Sequence, residues 1–257
     1  MYTIKQRLQN GELVLGIMLS QVRNPNIAYM LAQCGFEFFI IDNEHGTYSV
    51  ETISDMIAAA RGAGISVIVR IPEITRENIL KPLDSGAAGL LIPMVNTADQ
   101  AKEIIRHAKY PPIGNRGAAL RRAHNLYARV NASEYLEQAN KNTFIAVQAE
   151  TPMAIENRNE IASVEGIDCI FVGPFDLSVN LGIPGQTNHP LEVEAIEKIA
   201  ATCREHKKIA GILMFDQELL SYWINKNFRF AVYGSDVSLL TDAASNAVKK
   251  LKSITTV

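Results

Sequence analysis

Apolar runs of strand length alternate with helix-period segments eight times along the 257 residues, and no other feature of the sequence restricts the fold so tightly. Such alternation is the pattern of a parallel α/β architecture, because consecutive parallel strands need a helical crossover between them. The strands are expected at residues 13–20, 36–42, 66–70, 89–95, 144–150, 168–173, 210–215 and 228–234. Each is rich in Ile, Val, Leu and Phe with little polar alternation, as strands covered on both faces require. Between them, Ile27, Met30, Leu31 and Cys34 fall at i, i+3, i+4 and i+7, and so do Ile53, Met56, Ile57 and Ala60, and then Ala101, Ile104, Ile105 and Ala108. That spacing marks one apolar helix face. Gly35, Gly64, Gly86 and Gly166 stand where helices must stop, since a left-handed closing residue costs glycine little. Eight strand–helix pairs in this length match one (β/α)8 barrel, read as a single domain over residues 1–257. A doubly wound open sheet would satisfy the same alternation, but the G-x-G-x-x-G phosphate fingerprint is absent after the first strand.

Hydrophobic residues make up 47% and charged residues 20%, so the chain can bury a large core. A formal net charge of −2 provides no overall field for a nucleic-acid backbone or an anionic membrane, so neither is an expected partner. Cys34, Cys169 and Cys203 fit neither a disulfide framework nor a zinc pattern, which points to a reducing cytoplasm. No signal peptide is expected, and no apolar run reaches membrane-spanning length. One connection is irregular: between Tyr110 and Asn142, Pro111, Pro112, Gly114 and Gly117 precede Arg121, Arg122 and an expected short helix at 133–140. Connections of that length tend to be functional.

In a barrel, chemistry sits at the carboxyl ends of the strands. There the sequence places Asp42, Glu44 and His45, then Arg70, then Gln148 and Glu150, then Phe175 and Asp176. Glu150 and Asp176 are carboxylates on neighbouring strand ends with no His or Cys to complete a zinc cage. Hard oxygen ligands with open positions suit Mg2+ or Mn2+, with Co2+ a third candidate. Either acid alone could equally cap a helix; the pair at one mouth favours metal. Asp42 and Glu44 stand just before His45 and suit it to act as a general base. Arg70 ends an apolar strand, where its guanidinium must find an anion: either a structural carboxylate or a developing oxyanion. The turn before Phe175 and Asp176 can offer backbone N–H groups to a small 2-oxo acid's carboxylate. None of the twelve lysines falls at a strand carboxyl end, which disfavours a Schiff-base mechanism.

At these residues the chain resembles the HpcH/HpaI family of class II pyruvate aldolases over nearly its whole length. The resemblance is carried by Asp42 to His45, Arg70 with Pro72, Leu83-Asp84-Ser85-Gly86, Ile92-Pro93-Met94-Val95, Tyr110-Pro111-Pro112 leading to Arg116-Gly117, Gln148 with Glu150, and Gly173 through Ser178. It implies a TIM barrel of the pyruvate/phosphoenolpyruvate-binding type that cleaves a 4-hydroxy-2-oxo acid to pyruvate and an aldehyde through a metal-stabilised enolate. Glu150 and Asp176 would hold the metal, and Gln148 with the backbone of Phe175 and Asp176 would bind pyruvate. His45 would be the base, Arg70 would stabilise the transition state, and Asp84 would raise the basicity of His45. A homohexamer is implied as well. Asp84 and the 111–142 connection belong by topology to the barrel face opposite the mouth, so a neighbouring subunit's mouth is where they are expected to act. The rival readings are a decarboxylase or other carbon–carbon lyase using the same enolate, and a catalytically silent barrel that binds a 2-oxo acid.

Overall fold

The protein is described over residues 3–254 by a computed structural model. Eight parallel strands close into a barrel in chain order: β1 (Val14–Leu19), β2 (Phe38–Asp42), β3 (Ser66–Arg70), β4 (Gly89–Ile92), β5 (Phe144–Ala149), β6 (Cys169–Val172), β7 (Ile209–Met214) and β8 (Phe228–Ser235), which pairs back onto β1. The helices are α1 (Ile4–Gln9), α2 (Ile27–Gln33), α3 (Val50–Ala63), α4 (Arg76–Ser85), α5 (Ala98–Ala108), α6 (Ala132–Asn142), α7 (Pro152–Glu156), α8 (Arg158–Ser163), α9 (Pro174–Asn180), α10 (Pro190–Glu205), α11 (Gln217–Asn225) and α12 (Asp236–Ser253). No described helix is long and apolar enough to cross a membrane.

Because successive strand residues face opposite sides, the apolar runs feed two shells. Phe38, Ile40, Ile68, Leu91, Phe144, Phe171 and Phe230 fill the barrel's interior. There Phe230 stacks on Phe38 with centroids 4.5 Å apart and meets the edges of Phe144 and Phe171 at 5.0 and 5.7 Å. The other parity, with Ile17, Phe39, Ile41, Val69 and Ile145, packs beneath the helices. The expected stripes of α3 and α5 are buried in full. The stripe of α2 is not, since Ala28 and Leu31 turn inward while Met30 and Cys34 are exposed. That helix has only seven residues and packs against α3, so a narrower face suffices.

Two features lay outside the sequence reading. Helix α1 closes the barrel floor, with Ile4 and Leu8 joining the interior shell, although its surroundings in sequence are polar. Strand β4 stops at Ile92, three residues early, because Pro93 has no N–H to donate and Met94 takes φ +54°. The irregular connection lies on the floor, as the exit of α5 requires. Arg61 donates to Ala123 O at 2.6 Å, and His124 bonds Tyr135 and, at 3.0 Å, Ala119 O. Helix α12 buries only Asp236 among its residues, leaving Leu240 and Leu251, and Ile254 just past its end, about two-thirds exposed.

Candidate active site

Register brings the first pair of polar residues together, since Asp42 closes β2 directly beside Arg70 at the end of β3. Arg70 donates through Nε and Nη2 to the two Asp42 oxygens at 2.9 and 2.8 Å, and its Nη1 lies 3.0 Å from Glu44. Asp42 also accepts the backbone N–H groups of Glu44 and His45, at 3.1 and 3.2 Å. Burial alone would raise the Asp42 carboxyl, but Arg70 and the two N–H donors outweigh it and hold the pKa below its usual value. The structural carboxylate considered for Arg70 is therefore present. Three of the five guanidinium N–H groups are engaged, and the remaining two are available to a ligand.

Glu150 follows β5 and is buried. Its Oε1 accepts the Met94 N–H at 2.7 Å, and its Oε2 accepts Gln148 Nε2 at 2.7 Å. Burial pushes its carboxyl up to about 7, helped by the negative charges of Asp176 and Glu44 and opposed by the Met94 N–H and Arg70. Glu44 is raised too, by burial first, against the pull of Arg70 and His45. Gln148 leaves its Oε1 buried without a partner. Gly173 is required here, because a Cβ at that position would collide with Glu150 Oε2. Asp176 sits in the first turn of α9, whose N-cap, Gly173, supplies no side-chain acceptor. The N–H groups of Phe175 and Asp176 consequently have no helical partner.

Asn180 joins the two halves of this arrangement, donating Nδ2 to the backbone carbonyls of both Glu150 and Asp176 at 3.0 and 2.9 Å. Neither it nor the Met94 N–H was found from sequence. Asn180 lies inside a helix, and Met94 matters only through a backbone group. The mouth encloses a cavity of about 160 Å3 whose lining includes Arg70, Gln148, Phe175 and Asp176. His45 stands outside that lining, 69% exposed at its side chain, with Nε2 4.0 Å from Glu44.

Asp84 is not in this constellation. It ends α4 at the floor, 2.7 Å from Arg116, whose guanidinium also lies 4.7 Å from the Tyr110 ring centroid. Within one chain His45 and Asp84 occupy opposite ends of the barrel.

The donor set fits a divalent cation. Glu44, Glu150 and Asp176 share one electrostatic neighbourhood, burial and the two neighbouring carboxylates outweigh Arg70 in raising Glu150, and Gln148 Oε1 is orphaned beside it. No group of three or more His, Cys, Asp or Glu side chains closes a metal cage among the described residues. Two carboxylates leave the open positions that an octahedral oxygen-liganded ion fills with water and a chelating substrate.

Comparison with known proteins gives the family. A 2-keto-3-deoxy-L-rhamnonate aldolase of Salmonella gallinarum (strain 287/91 / NCTC 13346) is 34% identical over 98% of this chain and 94% of its own. The crystal structure of an HpcH/HpaI aldolase from Desulfitobacterium hafniense DCB-2 superposes with a TM-score of 0.95 at 34% identity, covering 98% and 97% of the two chains. The citrate synthase SbnG gives 0.88 at 29% identity over 98% of each. Residues 17–243 match the HpcH/HpaI aldolase/citrate lyase family, and with the barrel and its mouth described the chain belongs to that family of carbon–carbon lyases.

Proposed function

We propose that the protein is a class II aldolase that cleaves a 4-hydroxy-2-oxo acid of the 2-keto-3-deoxy sugar-acid type to pyruvate and an aldehyde. The observation that carries this reading is the mouth itself, where a buried Glu150, an adjacent Asp176 and an orphaned Gln148 carbonyl meet Arg70. Mg2+, Mn2+ or Co2+ held by Glu150 and Asp176 would supply Lewis-acid stabilisation of negative charge on the substrate's oxygens. The unsatisfied N–H groups of Phe175 and Asp176 receive the carboxylate of the pyruvate half, and the Gln148 amide fixes its orientation. Arg70, locked by Asp42 and Glu44, offers its two remaining donors to the developing oxyanion. His45, exposed at the rim where a substrate's outer half projects, takes the proton of the 4-hydroxyl. The C3–C4 bond then breaks, its electron pair moves onto the pyruvate half, and the aldehyde leaves; returning a proton to C3 completes pyruvate.

Asp84 enters this scheme only through assembly. A homo-oligomer, a hexamer by the resemblance, would carry Asp84 and the floor connection to the mouth of another copy and cover the apolar face of α12. A fully active monodisperse monomer would overturn that part. Among the rivals that use the same enolate, the similarity to a citrate synthase favours carbon–carbon bond formation over decarboxylation, and a silent 2-oxo-acid-binding barrel is the non-enzymatic rival.

The test is deuterium exchange into the methyl group of pyruvate, followed by NMR with Mg2+ or Mn2+, with chelator, and with His45→Ala. Metal-dependent exchange that falls on the order of 100-fold or more in the variant is expected, the usual loss of a general base. Absence of exchange with bound metal would remove the aldolase reading and leave the silent barrel. Release of carbon dioxide from a 2-oxo diacid in place of aldehyde turnover would identify a decarboxylase.

A further inference from the structure

The larger cavity of the molecule is not at the mouth. About 1000 Å3 opens on the floor, between α1, the Pro111-Pro112 turn, α6 and the ends of α10 and α11. Its walls carry eight lysines and arginines against three carboxylates, in a chain whose formal net charge is −2. Three of the eight have acidic partners: Lys5 with Asp168 at 2.8 Å, Lys141 with Glu137 at 2.5 Å and Lys226 with Glu197 at 3.4 Å. Lys109, Arg204, Lys207, Lys208 and Arg229 make no ion pair among the described residues, although the Asp168 charge reaches Lys109 and Lys208.

Cations commonly follow helix C-termini, where they meet the terminal carbonyls. That accounts for two hydrogen bonds on each of the inward lysines and no more. Lys109, which is buried, donates to Asn140 O and Thr143 O at 2.9 and 2.7 Å, and Lys208 donates to Val164 O and Ile167 O at 3.3 and 2.7 Å. An ammonium has three donors, so each keeps one free. Arg229 adds a buried Nε with no acceptor. Burial, reinforced by the charge of Lys5 and only partly opposed by Asp168, brings the Lys109 ammonium down to about 8.

We infer that the floor cavity is a second binding site, separate from the mouth, for a small multiply charged anion of the phosphorylated or polycarboxylate class. The volume lies at the upper end of the roughly 300–1,000 Å3 range of small-molecule sites, so an organic anion fits and a lone inorganic ion would not fill it. Its walls reach the amino-terminal ends of β6 and β7 and the plug helix α1, so an occupant would tie the plug to the strands.

The experiment is calorimetric titration of the full chain with fructose 1,6-bisphosphate and, separately, with tricarballylate, in the presence of chelator so that metal-dependent binding at the mouth is silent. Saturable binding of at least one probe is expected, and which one binds identifies the source of the charge. Arg204→Gln combined with Lys207→Gln, both exposed, should weaken it about tenfold, as expected for losing two screened charge contacts. Lys226→Gln should act in the same direction, while Lys81→Gln with Lys102→Gln on the outer helices should change nothing. The metal-dependent pyruvate exchange of the floor variants, without added anion, should match the parent protein. No saturable binding of either probe, or binding indifferent to the floor substitutions, would overturn the inference.

Discussion

The two ends of the barrel are built from opposite charges in opposite ways. At the mouth, Asp42, Glu44, Glu150 and Asp176 gather near a single buried arginine, with strand register setting Asp42 beside Arg70 and the others standing just past the ends of β2, β5 and β6. At the floor, five cations without ion-pair partners ring a wide cavity, and all but Arg229, which opens β8, come from helix ends and connections. Strand ends give a rigid frame with defined distances, which suits chemistry on a small group. Helix ends give a roomier, less ordered charge field, which suits binding. The contrast can be tested from the mouth downward in size of effect.

Glu150→Gln should have the largest effect. It removes one of the two carboxylates facing the site while keeping the shape that Gly173 accommodates. Metal affinity measured by calorimetry and metal-dependent turnover should both fall by on the order of 100-fold or more, and floor binding should be untouched. If floor binding fell with it, the two ends would be coupled rather than independent.

Asn180→Ala should come next. The side chain touches neither carboxylate group but holds both backbones through their carbonyls, so its loss loosens the spacing of Glu150 and Asp176. Roughly 10-fold weaker metal binding is expected, at the low end for a supporting contact. A drop in kcat with unchanged metal affinity would contradict a positioning role.

An acid with no counter-charge sharpens the comparison further. Glu192 lies in the first turn of α10, at the mouth end, fully buried with neither carboxylate oxygen bonded. Burial raises its pKa to about 7 from an ordinary 4.5. The folded state thus keeps this proton where the unfolded chain has lost it, so the contribution to stability is greatest below pH 4.5 and declines as pH rises to about 7. Glu192→Gln should remove that decline and stabilise the protein by about 2 kcal/mol at pH 8 in denaturant titrations, with little change at pH 4. Equal effects at both values would mean that the carboxylate has a partner when ionised.

Much of this architecture was legible in the sequence because covered parallel strands are nearly all apolar. Residues 66–70 were placed without error, and most other strand boundaries moved by one or two residues. The residues gathered at the mouth were legible for the same reason, since a polar residue ending an apolar run must face the site. What was not legible acts across the chain. The Arg116–Asp84 pair joins a helix end to a connection, and Asn180 works through carbonyls 30 and 4 residues away. The floor's charge lies on segments scattered from Lys5 to Arg229, and no one of them in sequence points to the others.

The smallest expected effect concerns how each end uses left-handed backbone. At the floor, Lys207 and Asn227 take φ +53° and +75° just past the ends of α10 and α11, the ordinary way to close a helix. At the mouth, Met94 takes φ +54° directly after a strand, and the result is an N–H aimed at Glu150 Oε1. A side chain in this conformation costs about 1 kcal/mol relative to glycine, and Met94 is partly exposed, so it recovers little by packing. Met94→Gly should therefore leave stability within about 1 kcal/mol of the parent, because relieved strain offsets the added freedom of the unfolded chain. Met94→Pro, whose ring fixes φ at about −65°, should instead abolish both the left-handed turn and the N–H, leave Glu150 short of one bond and lower metal affinity in the same assay as Asn180→Ala. If Met94→Pro bound metal as well as Met94→Gly, the strained turn would serve only to end β4, and the mouth's left-handed residue would be no different in kind from those on the floor.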